Sequence, residues 1–84
     1  MFQIRLSNKS KRNLKRLDKK YKEKVKNTID LLYTNPLLGE KMAGEFQGSY
    51  RIKIPPLRII YTADFENKII WIRAIGHRGG VYKN

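Results

Sequence analysis

The sequence predicts an α+β domain of order β-α-α-β-β-β, a helical hairpin packed on a mainly antiparallel four-stranded sheet. Three observations carry this. The chain opens on a short alternating run, "FQIRL". A long stripe of apolar residues at spacings of three and four follows. After Asn35-Pro36 come three strand-like runs separated by turns. Strands grouped after helices favour helices on one face of a sheet, with the other face left open.

Each element has a local reason. In "FQIRL", Phe2, Ile4 and Leu6 alternate with Gln3 and Arg5, the period-2 pattern of a half-buried strand. Ser7 or Asn8 supplies a side-chain oxygen able to accept a free backbone N–H and so cap a helix. Leu14, Leu17, Tyr21, Val25, Ile29 and Leu32 then form an amphipathic stripe. It is long for one helix, and Asp18-Lys19-Lys20 is the expected break. Asn35-Pro36 ends the second helix, because the residue before proline is pushed out of the α region. Residues 37–48 carry three glycines and read as a loop with a short turn. Strands follow at 49–54 and 57–64, and Pro55-Pro56 must lie at their turn, since proline cannot donate to a central ladder. "FENK" makes the next turn. "IIWIRAIGH", 69–77, is the most hydrophobic run and has the β-branched richness of a central strand. Gly79-Gly80 breaks the chain before Val81-Tyr82.

At 84 residues, one domain spanning 1–84 is expected. There is no cysteine, which excludes disulfides and thiolate metal sites. No Cys/His ligand set, Gly-rich phosphate loop or carboxylate pair is evident, so no metal or cofactor is expected. The first ten residues lack a long apolar run and a small-residue cleavage site, so no signal peptide is expected. No stretch reaches the ~20 apolar residues that span a bilayer. A cytoplasmic location without membrane contact is the default. The charge is decisive for partners: 19 Lys plus Arg against 7 Asp plus Glu, a net +12. That imbalance points to nucleic acid, an anionic membrane surface or an acidic protein.

The stretch "YRIKIPPLRIIY" places cations on the predicted hairpin. If Tyr50, Ile52 and Ile54 meet the helices, Arg51 and Lys53 face the open side. Arg58 joins them if the register is tight, and the face of Arg73 stays open. Such cations are either the wet face of a sheet or a grip for an anion. His77 is the only histidine, and imidazole exchanges protons near neutral pH. Arg78 and Tyr82 come at the same end of the chain. Cations that hold a phosphate, with groups able to move protons, suit RNA cleavage by 2′-hydroxyl attack, with no metal required.

Taken together, "GEFQGSYRIKIPPLRIIY" and "IIWIRAIGHRGGVYK" resemble the second half of the RelE/ParE superfamily of toxins, closest to RelE-type messenger-RNA interferases. The resemblance extends over nearly the whole chain. It implies cleavage of messenger RNA in the ribosomal A site and a cognate acidic antitoxin protein as partner. By position it implies phosphate stabilisation by Arg58, proton transfer by His77 or Tyr82, and electrostatic support from Arg51, Lys53 and Arg78. On this reading the helical lysines, among them Lys11, Lys15, Lys19 and Lys22, dock on ribosomal RNA. The chain departs from the family at Pro55-Pro56-Leu57, where Gly-Asp-Tyr is common, and at Gly79-Gly80. Two other functions fit the fold: a ParE-like, non-catalytic inhibitor of DNA gyrase, and an inactive protein that binds only antitoxin.

Overall fold

The computed structural model describes residues 1–77. In chain order these form β1 (Gln3–Leu6), α1 (Asn8–Arg16), α2 (Lys19–Leu31), β2 (Glu40–Lys41), a 3₁₀ turn (Gly44–Phe46), β3 (Ser49–Ile54), β4 (Leu57–Asp64) and β5 (Ile69–His77). The sheet has five strands in the order β1-β5-β4-β3-β2. Only the β1–β5 pair is parallel; the other three pairings are antiparallel. The expected four-stranded sheet therefore gains an edge strand, β2, inside the stretch read as loop. Two residues show no periodicity, so only their pairing with Tyr50 and Arg51 reveals the strand.

Ser7 is the cap of α1: its Oγ accepts from the Ser10 N–H at 3.1 Å. The helices break at Leu17-Asp18, so the expected break holds at Asp18, while Lys19 and Lys20 already belong to α2. The second helix stops at Leu31, four residues before Asn35-Pro36 was expected to end it. Beyond it the chain turns so that the Tyr33 carbonyl accepts from the Phe2 N–H at 3.2 Å, fastening the end of α2 to the start of β1.

The core lies between the helices and one face of the sheet. Val25, Ile29 and Leu32 meet Tyr50, Leu57, Ile59, Tyr61, Ile70, Ile72 and Ile75, all buried. Each such aliphatic side chain contributes roughly 1.5–3 kcal/mol through burial. Among the described residues, the other face carries a small buried apolar cluster, Ile60 and Ala74, with Met42 against it.

One irregularity sets which residues share a face. Ile60 pairs with Ala74 but Tyr61 pairs with Ile72, so Arg73 is an extra, bulged residue in β5. Side chains alternate strictly along a strand, so one inserted residue inverts every face beyond it. Ile70 and Ile72 face the helices before the bulge; Ile75 faces them after it.

The bulge is held from a distance. β1 ends opposite Ile72, which leaves the far half of β5 without a strand neighbour on that side. The Ser7 N–H donates to the Ile72 carbonyl at 3.0 Å, and the Ser7 hydroxyl donates to the Arg73 carbonyl at 3.0 Å. The Ile75 N–H donates to Asn13 Oδ1 of α1 at 3.0 Å. Asn13→Ala leaves that N–H buried and unanswered, a loss of about 1–2 kcal/mol. Chemical denaturation should show the lower midpoint, and hydrogen exchange should show faster exchange at Ile75 in particular.

Candidate active site

Arg51, Lys53 and Arg58 meet on the open face. The two-residue turn at Pro55-Pro56 sets a register in which Ile54 pairs with Leu57, Lys53 with Arg58 and Arg51 with Ile60. Directly opposed residues project from the same face, with Cβ atoms roughly 4.5–5.5 Å apart. Lys53 and Arg58 are thus like charges set side by side, an arrangement that costs stability. Pro55-Pro56 in place of a longer turn does not separate them.

The three cations line an open groove of about 500 Å³, together with Lys41, Met42, Ala43 and Phe46. The Arg73 bulge sets Ala74 opposite Ile60 and Gly76 opposite Arg58 on the strand next to the groove. Arg51 Nη2 lies 3.4 Å from Glu40 Oε2, a solvent-facing pair of small energetic weight. Arg58 is half-buried, and its Nε is buried without a hydrogen-bond partner among the described residues. A buried donor left unanswered is costly, whereas an anion entering the groove would answer it. The arrangement provides dense, fixed positive charge, suited to holding a phosphate as it gains negative charge.

The groove's outer wall is the segment 40–46, and a core residue fixes it. Tyr61 is fully buried and stacks on Tyr50, ring centroids 5.2 Å apart. Its hydroxyl donates to the Pro36 carbonyl at 2.9 Å and accepts from the Gly39 N–H at 2.8 Å. One phenol therefore grips two points, Pro36 and Gly39, of the loop between α2 and β2. Gly39 is required by close approach: a Cβ there would lie 2.9 Å from Tyr61 Cε1 and Oη and 3.0 Å from the Arg51 carbonyl oxygen. Burial pushes the Tyr61 phenol pKa up; the Gly39 N–H, which favours the phenolate, opposes this and is outweighed, while the neighbouring Tyr50 adds to the rise.

The other expected site residues lie elsewhere. His77 pairs with Leu57 and so starts from the helix-side face, exposed at the strand end. Unbroken alternation from Trp71 would have placed it on the open face beside Arg58; the bulge turns it away. Arg78 and Tyr82 lie outside the described residues. Lys11, Lys15 and Lys22 gather with Lys26 around a shallow depression of about 290 Å³ floored by Leu6 and Leu14. Lys19 lies at a neighbouring hollow with Lys22, Glu23 and Asp30. These lysines belong to the helical side of the molecule, away from the cation groove. Lys41, Met42 and Phe46 were not foreseen as groove residues. The one trace in the sequence is Phe46, a lone aromatic between Gly44 and Gly48.

The family described as "ParE toxin of type II toxin-antitoxin system, parDE" matches residues 4–82. RelE1 of Methanocaldococcus jannaschii is 34% identical over 87 residues, covering 99% of this chain and 97% of that protein. The RelBE2 toxin–antitoxin complex of Mycobacterium tuberculosis contains a similar chain: TM-score 0.83, 23% identity, 92% of this chain and 98% of that one covered. The isolated RelE toxin of E. coli gives a TM-score of 0.82 at 18% identity, covering 98% of this chain and 92% of that one. At such identities the structural likeness carries the fold alone.

The Tyr61 clamp yields a measurable pH dependence. Because the folded-state pKa is raised, the stability gained from the neutral phenol is fully present below about pH 10, the usual tyrosine value. It is lost as the pH climbs from there through the folded-state value. Tyr61→Phe should cost about 1–2 kcal/mol near neutrality. Urea midpoints measured at pH 8 and pH 11 should show the gap between wild type and Tyr61→Phe narrowing at the higher pH.

Proposed function

The chain belongs to the RelE/ParE family of type II toxin–antitoxin toxins, and from that premise we propose that it is a ribosome-dependent, metal-independent endoribonuclease that inhibits translation by cutting messenger RNA in the A site. The observation that carries this reading is the like-charged pair Lys53–Arg58, joined by Arg51 in one groove. Repulsion disfavours such a cluster unless an anion occupies it. A scissile phosphodiester is a fitting occupant.

The proposed chemistry is transesterification. The 2′-oxygen attacks the adjacent phosphorus, the O2′–P bond forms and the P–O5′ bond breaks, leaving a 2′,3′-cyclic phosphate and a 5′-hydroxyl. Arg58, Arg51 and Lys53 stabilise the charge gathering on the non-bridging oxygens, in place before the reaction and so without reorganisation. Arg78 adds support. Proton transfer falls to the C-terminal segment, to His77 or Tyr82. The helical lysines Lys11, Lys15, Lys19 and Lys22 dock the toxin on ribosomal RNA through counterion release. Charge of +12 and the family's pairing with antitoxins also support an acidic antitoxin protein as partner.

A second reading is a ParE-like inhibitor of DNA gyrase, since the matching family description is that of ParE. One pair of assays separates the two. Primer extension on translated messenger RNA shows codon-phased cuts for the nuclease, and a gyrase supercoiling assay shows no inhibition. Arg58→Ala should lower cutting by about 10²–10³-fold, the usual loss for one such donor. Its thermal stability should hold or rise, because a repulsive neighbour of Lys53 is gone. Of His77→Gln and Tyr82→Phe, the variant that removes the proton carrier should slow single-turnover cutting by about 10²–10⁴-fold.

A further inference from the structure

The open face does not end at the groove. Along β4, Arg58, Ile60 and Thr62 share it, and Thr62 pairs with Trp71 of β5. Trp71 in turn lies beside Arg5 of β1. Arg73 completes this second cluster: its Nε donates to Thr62 Oγ1 at 3.1 Å, and its guanidinium carbon sits 5.2 Å over the Trp71 ring. That distance is within the range of a cation–π contact. Arg5 is exposed, with Nη2 3.2 Å from Gln3 Oε1; Arg73 is exposed and Trp71 half-buried. Four residues of strand separate Thr62 from Arg58, roughly 13 Å at the usual rise.

Three facts bear on an occupant. Arg5, Arg51, Lys53, Arg58 and Arg73 share this face, against the Glu40 carboxylate at the β2 edge and Asp64 one row beyond Trp71. The only tryptophan of the chain is here, set between two guanidinium-bearing residues. Between the cluster and the groove lie Ile60 and Ala74, buried with Met42 packed against them. Single-stranded RNA is bound by this combination, a cationic track for phosphates with a planar platform on which a base stacks. Trp71 backs the Arg73 guanidinium, and Thr62 fixes its plane. An acidic polypeptide would use the cations but has no need of the planar stack.

We propose that Trp71, Arg73 and Arg5 form a second RNA subsite, where a base of the strand stacks on the Trp71–Arg73 pair a few nucleotides from the phosphate held at Arg58. This inference rests on the nuclease reading for its choice of nucleic acid, and it adds three binding residues to it. The subsite grips the strand away from the cut, so its loss weakens binding while the chemical step persists.

The test uses the full chain and a short single-stranded RNA with every 2′-hydroxyl methylated, which binds but cannot be cut. Titration should quench Trp71 emission. Arg73→Gln should weaken binding severalfold and Trp71→Leu about tenfold, the scale of one lost stacking contact. Arg5→Gln should lower the dependence of log affinity on log salt by about one. Melting curves confirm that each variant is folded; Arg73→Gln and Arg5→Gln alter only exposed side chains, so they carry the test if Trp71→Leu does not fold. Unchanged emission, or unchanged affinity in folded Arg73→Gln, overturns the proposal. Quenching by poly-L-glutamate but not by RNA overturns it as well, and assigns the face to a protein partner. The two readings fail separately. A chain that binds RNA through Trp71 yet never cuts translated messenger RNA refutes the nuclease and leaves the subsite standing. Cuts that depend on Arg58, with RNA affinity indifferent to Arg73, do the reverse.

Discussion

The bulge at Arg73 is the constraint on which both faces of the sheet depend. A strand as apolar as β5 could run straight, and strict alternation would then carry Ile75 and His77 to the open side. The inserted residue instead returns Ile75 to the core and sets Ala74 opposite Ile60 and Gly76 opposite Arg58. It is not held by its own strand. Ser7, at the cap of α1, and Asn13, in the middle of that helix, answer the carbonyl and the N–H that the missing end of β1 leaves open. The first helix thus acts as an edge partner for the sheet as well as a lid on the core. Packing of the helix and the course of β5 are coupled through three hydrogen bonds.

A second coupling runs through Tyr61. Its ring belongs to the core, stacked on Tyr50, while its hydroxyl holds the loop that leads to β2. The wall carrying Lys41 and Met42 is short and has little burial of its own. A strand of two residues is weak by itself, and its position comes from the phenol behind it and from the close seat of Gly39. The groove is therefore built on the core's rigidity, which is how a small domain can hold cations in fixed places on a thin rim.

The charge distribution follows a common logic. The helical lysines and the sheet cations form two basic surfaces on opposite sides of one core, in a chain of net charge +12. Self-repulsion of that kind weakens the folded state, and in the hairpin it is concentrated between Lys53 and Arg58. A small chain tolerates this because its apolar sheet face is continuous from Tyr50 to Ile75. It also makes an anionic partner a source of stability, since whatever binds the folded state in preference to the unfolded one stabilises it.

The order of the larger elements, the hairpin break near Asp18, a cap at Ser7 or Asn8 and the turn at Pro55-Pro56 were legible in the sequence, because each rests on neighbours within a few residues. So was the shared face of Arg51 and Lys53, which needs only alternation within one strand. The meeting of Arg58 with Lys53 needed the hairpin register. The edge strand Glu40–Lys41 needed β3, and the placement of His77 needed the bulge. That bulge answers to Ser7 and Asn13, more than sixty residues earlier in the chain. Local patterns set the elements because helix and strand periods are properties of the chain itself. The faces of β5 were decided only in the folded molecule, because a one-residue slip changes no local pattern and inverts every side chain beyond it.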